Sequence, residues 1–276
     1  PPEDSVRVEE YVNYFEQGYE LPPAHQAFAI HLDGGPSPFT QTERYEMMRV
    51  GIQGYDVSDR DRKDVSLTFV IDVSGSMDMD NRLGLVKRSL EMLVEQLGRG
   101  DQVRIVVYGS NARVVLDPTS ASDKGEILDA IYSLRSEGST NAEAGIKLGY
   151  KTAMRAYEHD SINRVILLSD GVANVGQVEA NAILDEVDHY VDEGITMATF
   201  GFGMDNYNDT LMEQLADNGD GFYAYIDDTS EARRLFVDDL TGSLQTIAMD
   251  AKVQVDFNPE VVSRYRLVGY ENRDVA

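Results

Sequence analysis

The sequence has no cysteine and no tryptophan in 276 residues, only 8 prolines, and 24 Lys and Arg against 49 Asp and Glu. Without cysteine there is no disulfide, no Cys-ligated zinc or iron–sulfur centre and no thiol nucleophile. The shortage of bases leaves a net charge of −25. That argues against nucleic acid as a partner, because phosphate binding needs a positive patch that releases counterions. It also opposes docking on an anionic membrane leaflet. No apolar run approaches the roughly 18–20 residues of a membrane span. The chain starts Pro1-Pro2 without a Met, so any signal peptide or anchor is expected to have been lost upstream of it. What is present excludes a disordered acidic tail: 42% of residues are hydrophobic and 9% aromatic, enough for one large α/β domain plus a smaller unit. The bases are 18 Arg and 6 Lys, a bias that suits high salt or an exposed environment and equally a GC-rich coding sequence. Charge is uneven too. Residues 185–240 hold 15 acids and 2 bases, or −13 of the total.

Three regions follow from the patterning. Residues 1–63 form a preface, with an amphipathic helix expected over 6–16 (Val8, Tyr11, Val12 and Phe15 on one face) and extended stretches at 27–32 and 46–52. Residues 64–250 alternate strands and helices. Strands are expected at 65–71, 103–108, 113–116 (an edge), 164–169, 195–202 and 221–226, and helices at 83–97, 123–134, 142–157, 181–193, 210–218 and 230–247. This is the pattern of a doubly wound, mostly parallel six-stranded sheet covered on both faces. Residues 251–276 change character again: 252–257 alternates strictly and 264–268 is a second such stretch. These two are expected to pair with the extended pieces of 1–63 as a small β unit.

The most informative residues end the first strand of the α/β block: Ile71-Asp72-Val73-Ser74-Gly75-Ser76-Met77. Ligands of open α/β sheets gather at the carboxyl ends of strands. Asp72, Ser74 and Ser76 alternate, so their side chains can turn the same way as the strand opens into a loop. Leu168-Ser169-Asp170-Gly171 brings a second carboxylate to that edge, and Gly138-Ser139-Thr140-Asn141 another hydroxyl. Five oxygen-bearing side chains without nitrogen or sulfur suit a small hard cation, Mg²⁺ with Mn²⁺ or Ca²⁺ as substitutes.

At these residues the sequence resembles a known family. Asp72-x-Ser74-x-Ser76 with Thr140 and Asp170 resembles the complete metal-ion-dependent adhesion site of von Willebrand factor type A domains, over about residues 65–247. Residues 7–15 (RVEEYVNYF), 206–209 (NYND) and 265–273 (YRLVGYENR) are similar to signatures of a bacterial YfbK-type subfamily, whose members usually continue into a further C-terminal domain. The resemblance implies that Ser74 and Ser76 bind the metal through their hydroxyls. It implies that Thr140 binds directly in the ligand-ready state and through water otherwise, while Asp72 and Asp170 hold waters and hydroxyls. A metal with neutral direct partners keeps an exposed positive charge, and the implied partner is a protein supplying an Asp or Glu carboxylate. The family also implies coupling between the metal and the last helix, 230–247.

Competing readings of the same residues remain. Ser74-Gly75-Ser76 also fits a plain strand-to-helix turn with a serine cap. Asp78-Met79-Asp80-Asn81 reads as a solvated loop, and Asp217-Asn218-Gly219-Asp220-Gly221 as a helix-to-strand turn rather than a calcium loop. An EF-hand starting at Asp72 fails because Leu83 stands where a bidentate Glu is required. Gly201-Phe202-Gly203 lacks the third glycine of a dinucleotide loop and reads as a tight strand exit. A dehalogenase-type phosphatase needs a second Asp where Ser74 stands, and no Gly-x-Ser-x-Gly elbow or phosphate-binding loop occurs. Histidines 25, 31, 159 and 189 lie outside the expected metal edge. The leading expectation is a non-enzymatic, metal-dependent protein-binding module of bacterial origin, outside the cytoplasm. The alternatives are an intracellular adaptor for an ATPase or chelatase-type assembly, and a Mg²⁺-dependent hydrolase using Asp72. A partner bringing a carboxylate to so acidic a protein is expected to ring it with basic residues.

Overall fold

A computed structural model of the chain describes residues 17–39, 45–55, 62–171, 177–203, 209–238 and 253–268, with residues 12, 15, 57 and 245. The chain divides into two compact units, Asp59–Thr246 and the pair of terminal segments Pro1–Ser58 and Ile247–Ala276.

The larger unit is built on a six-stranded sheet. In chain order, and counting β1 and β2 of the smaller unit first, its elements are β3 (Val65–Asp72), a 3-10 turn (Gly75–Asn81), α1 (Arg82–Gln96), β4 (Gln102–Tyr108), β5 (Ala112–Ser120), α2 (Lys124–Ser133) and α3 (Ala142–Arg155). They continue with β6 (Ile162–Ser169), α4 (Gln177–Asp192), β7 (Ile195–Phe202), α5 (Asp209–Asn218), β8 (Tyr223–Ile226), α6 (Thr229–Arg233) and a π-type turn (Arg234–Asp238). The strand order is β5-β4-β3-β6-β7-β8. All neighbours are parallel except β5, which runs antiparallel to β4 at the edge.

Every residue of β3 is buried, the polar Ser66 and Thr68 included, as in a strand covered on both faces. Its side chains divide between two cores. Leu67, Phe69 and Ile71 pack with Val86, Leu90 and Leu93 of α1 and Ile127 and Ile131 of α2. Val70 belongs to the opposite face, with Ile146 and Tyr150 of α3 and Val187 of α4. Successive helices thus cover both faces, and β3 and β6 lie at the centre, where the winding reverses. That reversal opens a crevice at the carboxyl ends of these two strands.

The edge strand runs on past Leu116, where sequence patterning ends it, through Pro118 to Ser120. A proline costs a ladder bond inside a sheet but is tolerated at an edge or bulge. The pairing indeed shifts register there, Leu116 facing Ile105 and Thr119 facing Val103. At the opposite end of the sheet Asp101, fully buried, accepts the backbone N–H of Val65 (2.8 Å) and of Gly98 (2.6 Å) and pairs with Arg62. It clips the start of β3 to the start of β4.

In the smaller unit β1 (Phe28–Pro36) and β2 (Glu46–Gly54) form a two-stranded antiparallel sheet. Tyr19 stacks on His31 of β1, and a side chain at Gly51 would collide with the Tyr19 ring. The expected strands at 252–257 and 264–268 are a correction: residues 253–258 and 264–267 form no strand, and β1 and β2 pair with each other. Val253 and Val255 are 43% and 41% exposed, so the alternation there buries no face. The two segments meet instead through the stacked rings of Phe257 and Tyr265, 4.5 Å apart. The helix expected over 6–16 and the part of 230–247 beyond Asp238 lie outside the described residues, apart from Val12, Phe15 and Gln245. Within the described part, that last helix is regular only over Thr229–Arg233.

Candidate metal centre

β3 delivers Asp72 to the crevice with no solvent exposure, and the backbone turns immediately afterwards. The turn is set by the carboxylate itself. Asp72 Oδ1 accepts the Ser74 N–H at 2.8 Å, a local side-chain-to-backbone bond of the type that stops regular structure. Its other oxygen, Oδ2, accepts the Ser169 hydroxyl at 2.8 Å, so both oxygens are fixed. Above it Ser74 Oγ and Ser76 Oγ lie 3.1 Å apart. The loop carrying Thr140 is held against this turn by its own backbone, with Gly75 N–H donating to the Gly138 carbonyl at 3.1 Å. Asn141 ends that loop and caps α3, accepting the Ala144 N–H.

The structure therefore brings Asp72, Ser74 and Ser76 into one hydrogen-bonded group and sets the half-buried Thr140 in an adjoining loop. Asp170 follows β6 on the same edge, but its Oδ2 is held by Arg82 Nη1 at 2.6 Å. Sequence reasoning missed three residues here. Ser169 anchors Asp72, Arg82 pairs with Asp170, and Tyr108 at the end of β4 lies fully buried beside Asp72 and Ser169. Only Ser169 carried a usable signal, as a hydroxyl ending a strand adjacent to β3.

Burial dominates the electrostatics. It pushes the Asp72 carboxyl above its ordinary value, against the lowering effect of the hydrogen bonds from Ser74 and Ser169, with the nearby Asp170 charge adding to the rise. Burial likewise raises the Tyr108 phenol well above its ordinary value, and the Asp72 charge reinforces it. The fold therefore disfavours the ionised Asp72: the stability this group contributes falls as pH rises from its unfolded-state value through its folded-state one. In EDTA at neutral pH, Asp72→Asn is accordingly expected to melt above the unaltered chain by calorimetry. A lower melting temperature would show that the carboxylate's hydrogen bonds outweigh its burial.

Among the described residues no three His, Asp or Glu side chains converge as a metal-binding cluster. A cation at this edge would therefore rest on hydroxyls, supported by the two carboxylates Asp72 and Asp170. That donor set is hard oxygen throughout, and the residues fit a Mg²⁺-class ion. Asp78 and Met79 follow in the 3-10 turn and are exposed. The Asp217–Gly221 stretch is a helix-to-strand turn, with Gly219 and Gly221 N–H groups bonded back to Leu215 and Ala216.

Comparison with known proteins bears on this edge. Residues 66–240 match the von Willebrand factor type A domain, residues 1–48 a model described as von Willebrand factor, and residues 242–276 the C-terminal region of the uncharacterized protein YfbK. YfbK of Escherichia coli is 40% identical over the whole chain, which corresponds to 49% of that protein. The uncharacterized protein sll0103 of Synechocystis is 30% identical over 75% of the chain and 47% of its own length. The chain thus spans about half the length of these curated relatives. Among solved structures, BatB of Bacteroides thetaiotaomicron aligns with a TM-score of 0.55 at 19% identity, over 65% of this chain and 98% of that one. The pilus adhesin SpaC of Lactobacillus rhamnosus GG aligns with a TM-score of 0.53 at 17% identity, over 80% of this chain and 35% of that one. At such identities these two show the fold alone.

Proposed function

The chain belongs to the von Willebrand factor type A family, and from that premise we propose that its α/β unit is a non-enzymatic, divalent-cation-dependent protein-binding module. The observation that carries this reading is the pair of hydroxyls, Ser74 and Ser76, 3.1 Å apart above a carboxylate locked from both sides. Ser74 and Ser76 hold the ion directly and Thr140 joins them, while Asp72 and Asp170 hold waters and orient hydroxyls. The fixed Asp72 keeps Ser74 in place through its own backbone, so the direct ligands are neutral and pre-set. When bound, Mg²⁺, or Mn²⁺ or Ca²⁺ in its stead, supplies an electron-poor position that takes a carboxylate oxygen from an Asp or Glu of a partner protein. No helix among the described residues is long and apolar enough to cross a membrane. The proposed setting is extracytoplasmic, which fractionation of native cells checks.

The test is partner capture in Mg²⁺ against EDTA, with Ser74→Ala as control. Capture is expected in Mg²⁺ alone and to be lost in the variant; capture indifferent to EDTA overturns the reading. Mg²⁺-dependent turnover of phosphate or ester substrates, abolished by Asp72→Asn, would instead make it a hydrolase.

A partner that brings a carboxylate to a chain of net charge −25 must offset long-range repulsion, so its acid is surrounded by bases. Association is then expected to slow and weaken between about 0.05 and 0.5 M salt, as the screening length shrinks to a few ångströms. Surface plasmon resonance measures this. A salt-independent on-rate would assign the acidity to solubility rather than recognition.

A further inference from the structure

The carboxyl edge contains a cation of its own. Arg82, the first residue of α1, is 5% exposed, and its guanidinium meets Asp170 at 2.6 Å. The route it takes is built for it. Gly203, just past β7, has φ +102°, and a Cβ there would lie 2.3 Å from Arg82 Nε and 2.8 Å from Cδ. Any side chain at 203 would therefore force the arginine to shift. Among the described residues Arg82 Nε has no hydrogen-bond partner, and the Asp170 pair holds this head group through Nη1. Arg82 thus sets one positive charge beside the carboxylates of Asp72 and Asp170 at this edge.

We propose that Arg82 is a resident counter-cation of the site, which pairs with Asp170 inside the fold and competes with a divalent ion for that carboxylate, lowering cation affinity while keeping the metal-free fold intact. The proposal rests on the reading of this edge as a cation site. Breaking a buried ion pair by removing one member is strongly unfavourable, so removing Arg82 weakens the metal-free fold. In the unaltered chain the guanidinium already sits on Asp170 Oδ2. A divalent ion must then be gained against it, and once gained faces a site with one negative charge less to neutralise it. Arg82 acts through Asp170 and is a positioning residue.

The test is a Mn²⁺ titration followed by the electron paramagnetic resonance of free Mn²⁺, with melting temperatures in EDTA and in Mn²⁺. Arg82→Gln is expected to bind Mn²⁺ about 10–100-fold more tightly, the scale of one unit charge at close range in a medium of intermediate dielectric. It should also melt below the unaltered chain in EDTA and gain more on adding Mn²⁺, since ligand stabilisation grows with affinity. Arg82→Lys keeps the charge and is expected to stay near the unaltered chain. Should the glutamine variant not fold, Arg82→Met, which retains the buried stem, carries the same expectation. Unchanged or weaker Mn²⁺ affinity in a folded uncharged variant overturns the proposal and leaves the cation site standing. Tight Mn²⁺ binding that survives Ser74→Ala in the Arg82→Gln background, or no binding in any of these chains, overturns the cation site and the proposal with it.

Discussion

Asp101→Ala is expected to cost about 3–5 kcal/mol of folding stability, the range for breaking a buried charge pair by removing one partner. The side chain is fully buried and receives three donors: the Val65 and Gly98 N–H groups and the Arg62 guanidinium. Each backbone donor left without an acceptor costs about 1–3 kcal/mol. Arg62 contributes less, because its side chain is 15% exposed and can turn to water. The damage is local but central, since Val65 opens the strand that carries Asp72. Urea denaturation measures the loss. Asp101→Asn, which keeps one acceptor oxygen, is expected to lose less than the alanine variant; equal losses below about 1 kcal/mol would show that the clip is not what holds the two strand ends.

Gly145→Ala decides between two opposed effects. In an exposed helix interior the change gains about 1 kcal/mol of helix propensity. Here a Cβ would fall 2.4 Å from Tyr108 Cδ1 and 2.9 Å from Tyr108 Cβ. The ring can swing only so far, and the Tyr108 Cβ is fixed to a buried strand. Overpacking of this kind costs about 1–3 kcal/mol and at times more. We expect overlap to win, with a net loss of about 2 kcal/mol and α3 displaced outward. Gly149, one turn on, approaches Val70 as closely, at 2.3 Å from its Cγ2, so the helix has no easy pivot. Because α3 begins at the loop bearing Thr140, the variant should also weaken Mn²⁺ binding. A gain in melting temperature would show that the helix relaxes freely.

The parts of this chain that a reader of the sequence could recover are those fixed by local chemistry. The apolar Phe69-Val70-Ile71, and the punctuation Asp72-x-Ser74-x-Ser76, locate a buried strand and the turn at its exit without reference to anything distant. Ser169 was half visible, as a hydroxyl at a strand end, but its bond to Asp72 depends on β6 lying beside β3, a crossover that no short window contains. Arg82 was invisible. It opens an amphipathic helix, where a base ordinarily faces water, and only the pairing of Asp170 with a glycine gap at position 203 draws it inside. The C-terminal alternation misled for a related reason. A period of two states that a segment could sit half-buried in a sheet, and says nothing about whether a partner edge is offered.

The outer strands of the larger sheet bear on how many copies can live together. A sheet edge offers a row of unpaired amides to any neighbouring strand, and proteins at high local density are exposed to that hazard. One edge here, β5, is interrupted by Pro118, which has no amide hydrogen, and by the register shift beside it, with Arg113 and Asp117 exposed along it. The other, β8, is four residues long. Neither is a good template for strand addition, so crowded molecules are discouraged from zipping into fibres along these edges.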